Sequence, residues 1–537
     1  MLNHAASLPF FCWMLFTLGI GMHVHAEDAA SLTTGVSYNR DVRPILAEHC
    51  FACHGPDEEH RKADLRLDFL DTEGRTAEVL SAGDAETSEL LARVLATDDA
   101  VVMPPPDSHK KKLDSSEIEL IKGWIEQGAE YEDYWAFSRI ERPEVPRVRN
   151  QAWCLNPIDQ FVSRKQEGAG LEPSEKASRR TLIRRLALDL TGLPPTLEAI
   201  DAFLADENEN AYEKLVDSYL DSPRYGEHMA RYWLDLVRFA DTNGIHHDHY
   251  RDLTPYRTWV IQAFNENLPY DQFVRDQLAG DLLEDAGTEQ LVASGFNRLH
   301  MIIDRGTMLP EESLARNVID RVTAVGTAFM GLTVGCAVCH DHKYDPITSK
   351  EFYQLYAFFN NLDATPETGG RSGTDFRRGL QPPYINLPSE VQSRRLAEIT
   401  AKRESLEAEI QSTKDWLSAN SAQQKETEQT SEGDHSRTSP ESLGSSLQKQ
   451  TEQKTTHLKS LEAELKFQNT ARDNLMLEIP AAMVMKERAE RRPSHVMIRG
   501  AYDDLGEQVQ RGTPAFLPPM DVKGDKTRLD LAQWLIS

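Results

Sequence analysis

Cysteine is scarce, with six residues in 537. That is too few, and too unevenly placed, for a disulfide framework. Basic charge is also short: 59 Lys and Arg face 86 Asp and Glu, giving a formal net charge of −27. Such a chain repels nucleic acid and anionic membrane, so neither is an expected partner. Long apolar runs are missing apart from one, Leu8 to Met22 (LPFFCWMLFTLGIGM). It has the length of a signal-peptide core and falls short of a comfortable membrane span. It leads into Val24-His25-Ala26, so residues 1–26 read as a secretory signal and the mature chain as extracytoplasmic, periplasmic or secreted. The leading MLNH lacks the usual Lys or Arg, and a segment left uncleaved would instead associate the chain with a membrane.

Cys12 leaves with the signal, and four of the remaining five cysteines form two copies of one pattern: CFACH at 50–54 and CAVCH at 336–340. Cys154 is left over and is expected to be a small buried apolar side chain. A Cys-x-x-Cys pair places two sulfurs on one side of a helical turn, and the histidine that follows can bring its imidazole over the plane they bracket. This is the arrangement for covalent attachment of haem c, with Cys50, Cys53, Cys336 and Cys339 forming thioethers and His54 and His340 as proximal iron ligands. A four-sulfur zinc site gives no reason for histidine at the same place twice, and a thioredoxin-like pair wants a βαβ context that these helical surroundings do not offer.

A haem iron needs a sixth partner or an open position. Met103, in VVMPPPDS, lies in a proline-stiffened stretch that excludes a helix and suits a thioether held at a fixed distance. His49 and His60 are weaker candidates. For the second motif, His300 in FNRLHMIID is one candidate, and the cluster His246, His247 and His249 is another. His342, Lys343 and Asp345 follow the second motif in a stretch that reads as a solvated turn, with acid–base roles only if that iron is open to substrate.

The chain reads as mainly α. NRDVRPILAEHC leads helically into the first motif, and LDSSEIELIKGWIEQGAEY carries a capping signal at Asp114 and Glu117, an apolar face of Ile118, Ile121 and Ile125, and a stop at Gly128. IERPEVPRVRN is a charged, proline-punctuated linker. Leu314, Val318, Val322, Val325 and Phe329 share one face of the helix that delivers the second motif. From 390 to 477, Leu396, Ile399, Leu406, Ile410 and Leu417, then Leu458, Leu461 and Leu465, fit the seam of a helical hairpin, with a disordered tip expected over 419–446. Strand and turn character returns after 478.

With these motifs in hand, YNRDVRPILAEHCFACHGPDEEHRKADLRLD, MPPPDS and SSEIELIKGWIEQGA resemble the planctomycete-type cytochrome c domain. NPIDQFVSRKQEGAGLEPSEKASRRTLIRRLALDLTGLPPT and DRVTAVGTAFMGLTVGCAVCHDHKYDPITSKEFYQLYAFFNN are similar to the domain of unknown function that usually follows it. RGAYDDLGEQVQRGTPAFLPP and TRLDLAQWLIS look like the start of a third, cut short. The resemblance implies a cytochrome c fold over 37–133 with Met103 as distal ligand. A linker follows at 134–152, then a second helical domain at 153–365, the hairpin, and a small partly β segment at 478–537. The expected function is exported electron transfer with redox partner proteins, as part of a larger oxidoreductase. A peroxidase-like enzyme with an open second haem and a haem-containing scaffold are the alternatives.

Overall fold

The structure, a computed structural model, describes all residues except 1–34, 56–60, 70–73, 133–135, 139, 246, 304–308, 344, 365–372 and 431–440. The expected signal segment, His60 and His246 lie outside the described residues. The described residues divide into two compact units, one within 35–176 and the other within 177–537. The chain is mainly helical, with three small two-stranded sheets among the described residues.

In the first unit, the turn Tyr38–Val42 and helix Arg43–His49 bring the chain to the first motif, whose residues Phe51–His54 form one further helical turn. Helix Ser115–Glu126 packs back against the Tyr38–Val42 turn. Its start is fixed by a reciprocal cap: the Asp114 carboxylate accepts from the Ser116 and Glu117 N–H groups, and Glu117 accepts from the Asp114 N–H. Ile121, Trp124 and Ile125 turn inward against Leu46 and Leu67. The rings of Tyr38, Trp124 and Tyr131 meet with centroids 4.7 to 5.5 Å apart, contacts that add specific geometry to apolar burial. His49 is buried and tied to the neighbourhood of this helix through the Lys111 carbonyl at 3.0 Å and the Glu117 carboxylate at 3.3 Å. Cys154 is partly exposed, with its thiol donating to the Asn150 carbonyl at 3.7 Å, because its segment is a short 3-10 turn beside charged chain.

The second unit has its main core around helices Thr254–Asn265, Tyr270–Ala279, Pro310–Val325 and Ser349–Phe359. Val318, Val322 and Val325 of the delivering helix are buried as the periodicity requires. Beyond Val325 the helix loosens into a π turn, Gly326–Met330, and stops at Gly331, whose φ of 65° terminates it.

Helices Glu390–Thr430 and Glu441–Glu478 form the expected antiparallel pair. Leu406 and Ile410 pack with Leu458, Leu461 and Leu465, and Ile399 packs with Leu475, Met476 and Ile479. Helix continues through 419–430 and resumes at 441, where disorder was expected; Gln, Glu, Lys and Ala are good helix formers, and the seam on either side carries them. Residues 431–440 lie outside the described residues. The pair emerges from a small sheet in which Tyr384–Asn386 runs antiparallel to Ala481–Met483. A second hairpin, Ser494–Met497 with Leu505–Val509, packs against helix Ser349–Phe359. No helix among the described residues is long and apolar enough to cross a membrane.

Candidate haem centres

The first motif forms because helix Arg43–His49 hands its last hydrogen bond, Cys50 N–H to the Leu46 carbonyl at 2.8 Å, directly to a new turn closed by His54 N–H on the Cys50 carbonyl at 2.8 Å. Two later strands of chain pin that turn: Lys62 N–H donates to the Cys53 carbonyl and Leu67 N–H to the His54 carbonyl, each at 2.8 Å. Cys50 is buried in the unit's core and Cys53 is partly exposed. Burial first, and then the neighbouring Cys53, push the Cys50 thiol up to about 12, with Lys110 opposing. An environment that forbids a thiolate tolerates an uncharged thioether, which is what attachment to a vinyl group leaves.

His54 is half-buried, and burial lowers its pKa; the backbone of Lys62 opposes this and the Arg93 guanidinium adds to it. The ring is thereby held neutral, the form that ligates iron. Its Nδ1 is buried with no hydrogen-bond partner among the described residues. Arg93 also links this histidine to the expected distal ligand, since its carbonyl accepts from the Met103 N–H at 3.0 Å. Met103 is partly buried between the enclosed Val102 and Pro104. These residues fit a haem: two sulfurs, a neutral imidazole with an orphaned nitrogen, and a thioether on a residue whose backbone is tied to Arg93, the guanidinium of which acts on that imidazole.

The second motif is built differently. Residues Val334–Val338 form a 3-10 turn, in which side chains three apart stand on the same side, and Cys336 and Cys339 are both exposed. His340 is exposed, with Nδ1 2.7 Å from the Asp341 carbonyl. Tyr353 supports the turn by donating its hydroxyl to the Val338 carbonyl at 2.9 Å. Burial, and then Cys339, push its phenol up to about 12. A β-carbon placed on Gly500 would lie 2.9 Å from Cys339 Sγ, so the hairpin at 494–509 seats the sulfur against bare backbone. Sequence spacing gives no signal for Tyr353 or Gly500.

His300 is fully enclosed. Its Nε2 lies 3.0 Å from an Arg321 guanidinium nitrogen and its Nδ1 3.2 Å from the Met301 carbonyl, while Arg251 donates to the His300 carbonyl at 2.5 Å. Burial, reinforced by Arg321, Arg251 and Arg298, holds its pKa well below the ordinary histidine value. The ring accepts from one guanidinium and donates to one carbonyl, so ligating iron would cost it a buried bond. His247 and His249 stack at 5.6 Å, and His249 meets Phe376. His342 is buried, unlike the solvated turn expected at DHKYDP: its Nδ1 accepts from the Asp345 N–H at 2.9 Å and its own N–H donates to the Ile347 carbonyl at 2.8 Å, so the imidazole is the inner pin of the turn. Lys343 is exposed. Among the described residues, no group of three or more His, Cys, Asp or Glu could hold a bare metal ion.

The first centre is that of a c-type haem domain. The family model described as planctomycete cytochrome C matches residues 50–107, which span Cys50, Cys53, His54 and Met103. A second, described as a protein of unknown function (DUF1549), matches residues 157–364 and takes in the second motif. The chain thus carries a planctomycete cytochrome C domain followed by a DUF1549 domain. No curated protein and no solved structure matches it.

Proposed function

We propose that this chain is an extracytoplasmic c-type cytochrome that passes single electrons between redox partner proteins, as the electron-transfer part of a larger oxidoreductase. The observation that carries the reading is His54: a half-buried neutral imidazole with an orphaned nitrogen, directly after two cysteines in a matched cytochrome C domain. Haem bound there supplies a one-electron iron couple whose potential the axial ligands and burial set. The chain's own contribution is to hold the imidazole neutral, keep Cys50 in an apolar wall and anchor Met103 through Arg93.

The second CxxCH is the candidate for a second haem, held by Cys336 and Cys339 with His340 as proximal ligand. The repeat of the five-residue pattern and the display of both sulfurs on one turn support this. The engagement of His300 by Arg321 favours a second reading for this centre, an open sixth position as in a peroxidase-like enzyme. Protein matured in an exporting host should stain for haem on a denaturing gel and show two haem masses, one lost with each pair of cysteines. A mature chain without covalent haem overturns the proposal. Rapid cyanide or carbon monoxide binding that depends on Cys336 and Cys339 selects the open-site reading over two closed carriers.

A further inference from the structure

Within the second unit, a cleft of about 840 Å³ opens between residues 281–291, the strand at Tyr384–Asn386 and the segment 484–487. That volume is in the range of about 300–1,000 Å³ usual for small-ligand sites. Neither motif takes part in it. We infer that this cleft binds an uncharged saccharide.

The argument rests on how its charges are arranged. Arg528, fully buried, donates to both carboxylate oxygens of Asp281 at 3.0 and 2.7 Å and to Glu487 Oε1 at 3.0 Å. Arg511 adds a second guanidinium 3.6 Å from the same Glu487 oxygen. At the rim, Lys486 lies 3.5 Å from Asp363. Each carboxylate in the cleft therefore has a cation, and the site presents polar groups in fixed positions with no net charge. A cationic ligand would compete with a guanidinium that has no exposure, and an anionic one would face Asp363 and Glu487. Either would be desolvated without a matching field.

An uncharged polyol meets no such cost. A carboxylate oxygen accepts about two hydrogen bonds, so Glu487, which keeps some exposure and whose Oε2 accepts, among the described residues, only from Asn361 at 3.4 Å, retains acceptor capacity on that oxygen. Adjacent sugar hydroxyls can donate to one carboxylate, and the Lys486 ammonium, two-thirds exposed, can donate back. The remaining walls are apolar: Leu282, Leu291, Ile385 and Val484. These aliphatic surfaces suit the C–H faces of a pyranose. The pairing of side-chain acceptors with an apolar wall favours a saccharide over an uncharged peptide.

The test is affinity electrophoresis of the full, haem-bearing chain through native gels containing a neutral β-glucan, xylan or galactomannan, with dextran sulfate as the charged control and calorimetry on the best oligosaccharide. At least one neutral polymer should retard the chain. Ile385→Trp, at a partly exposed strand position, should fill the cleft and abolish retardation, and Lys486→Ala should weaken oligosaccharide binding several-fold. An unchanged melting temperature and haem content in these variants show that the fold persists, and Leu291→Trp is the second blocking variant if Ile385→Trp does not fold. Retardation by dextran sulfate alone, by no neutral polymer, or undiminished in both folded blocking variants overturns the assignment, as does selective capture of uncharged peptides. None of these readouts depends on how many haems the chain carries.

Discussion

A β-carbon on Gly500 would lie 2.9 Å from Cys339 Sγ, so this sulfur is seated against bare backbone 161 residues further along the chain. Gly500 adopts a φ of 75°, a region most side chains avoid. The family match ends at residue 364, so this sulfur is seated by a hairpin outside the matched segment.

Gly500→Ala should cost about 1–2 kcal/mol from backbone strain alone and displace the Cys339 side chain. The expected outcomes are a lower melting temperature and, in the haem-free chain, a changed alkylation rate at Cys339 with Cys336 unaffected. Peptide mass spectrometry reads both sites separately, and equal rates in wild type and variant would contradict the contact.

Tyr353→Phe removes the bond to the Val338 carbonyl and should destabilise the second unit by about 1 kcal/mol. Amide hydrogen exchange should rise locally over 334–340, with the first unit unchanged.

Met103→Ala should leave the covalent haem on Cys50 and Cys53 in place while removing the weak iron–sulfur absorption of the oxidised form and lowering the potential, since a thioether favours ferrous iron. An unaltered oxidised spectrum would mean that another residue ligates.

The His300 ring gives stability a pH dependence of definite sign. Its folded pKa lies below the unfolded value of about 6.5 because burial and three arginines disfavour the charged ring. The neutral ring's contribution is complete above that value. As pH falls below it, the unfolded chain gains a proton that the folded chain resists, and stability drops by up to about 1.4 kcal/mol per pH unit. Asp320, raised by burial, acts from the lower end of the scale with the opposite slope. Denaturation midpoints of wild type and His300→Asn between pH 7 and 5 should converge as the pH falls. Parallel profiles would show that the ring is not the source.

Local patterns made much of this molecule legible. The reciprocal cap at Asp114 and Glu117, the buried face of Val318, Val322 and Val325, and the seam of Ile399, Leu406 and Ile410 all follow from helical period and short-range hydrogen bonding. The first motif was legible because five adjacent residues carry it, and the matched cytochrome C domain covers them. Gly500 against Cys339, Arg528 with Asp281 and the commitment of His300 to Arg321 were not, because those partners are brought together by tertiary packing and leave no period behind. Polarity misled twice. A Ser/Thr/Glu/Gln-rich stretch suggested disorder where helix continues, and a charged turn hid the buried His342.

The two long helices are mounted on the paired strands Tyr384–Asn386 and Ala481–Met483, with Asn386 opposite Ala481 and Leu387 N–H on the Pro480 carbonyl at 2.8 Å. Topologically, everything from 387 to 480 is therefore the loop of a β-hairpin whose ends already stand at strand-pairing distance, about 5 Å. A segment joined in this way can be spliced out and replaced by a short turn, or exchanged for a longer arm, without rethreading the core. Lineages could gain, lose or resize it as a single cassette while the walls of the cleft stay in register.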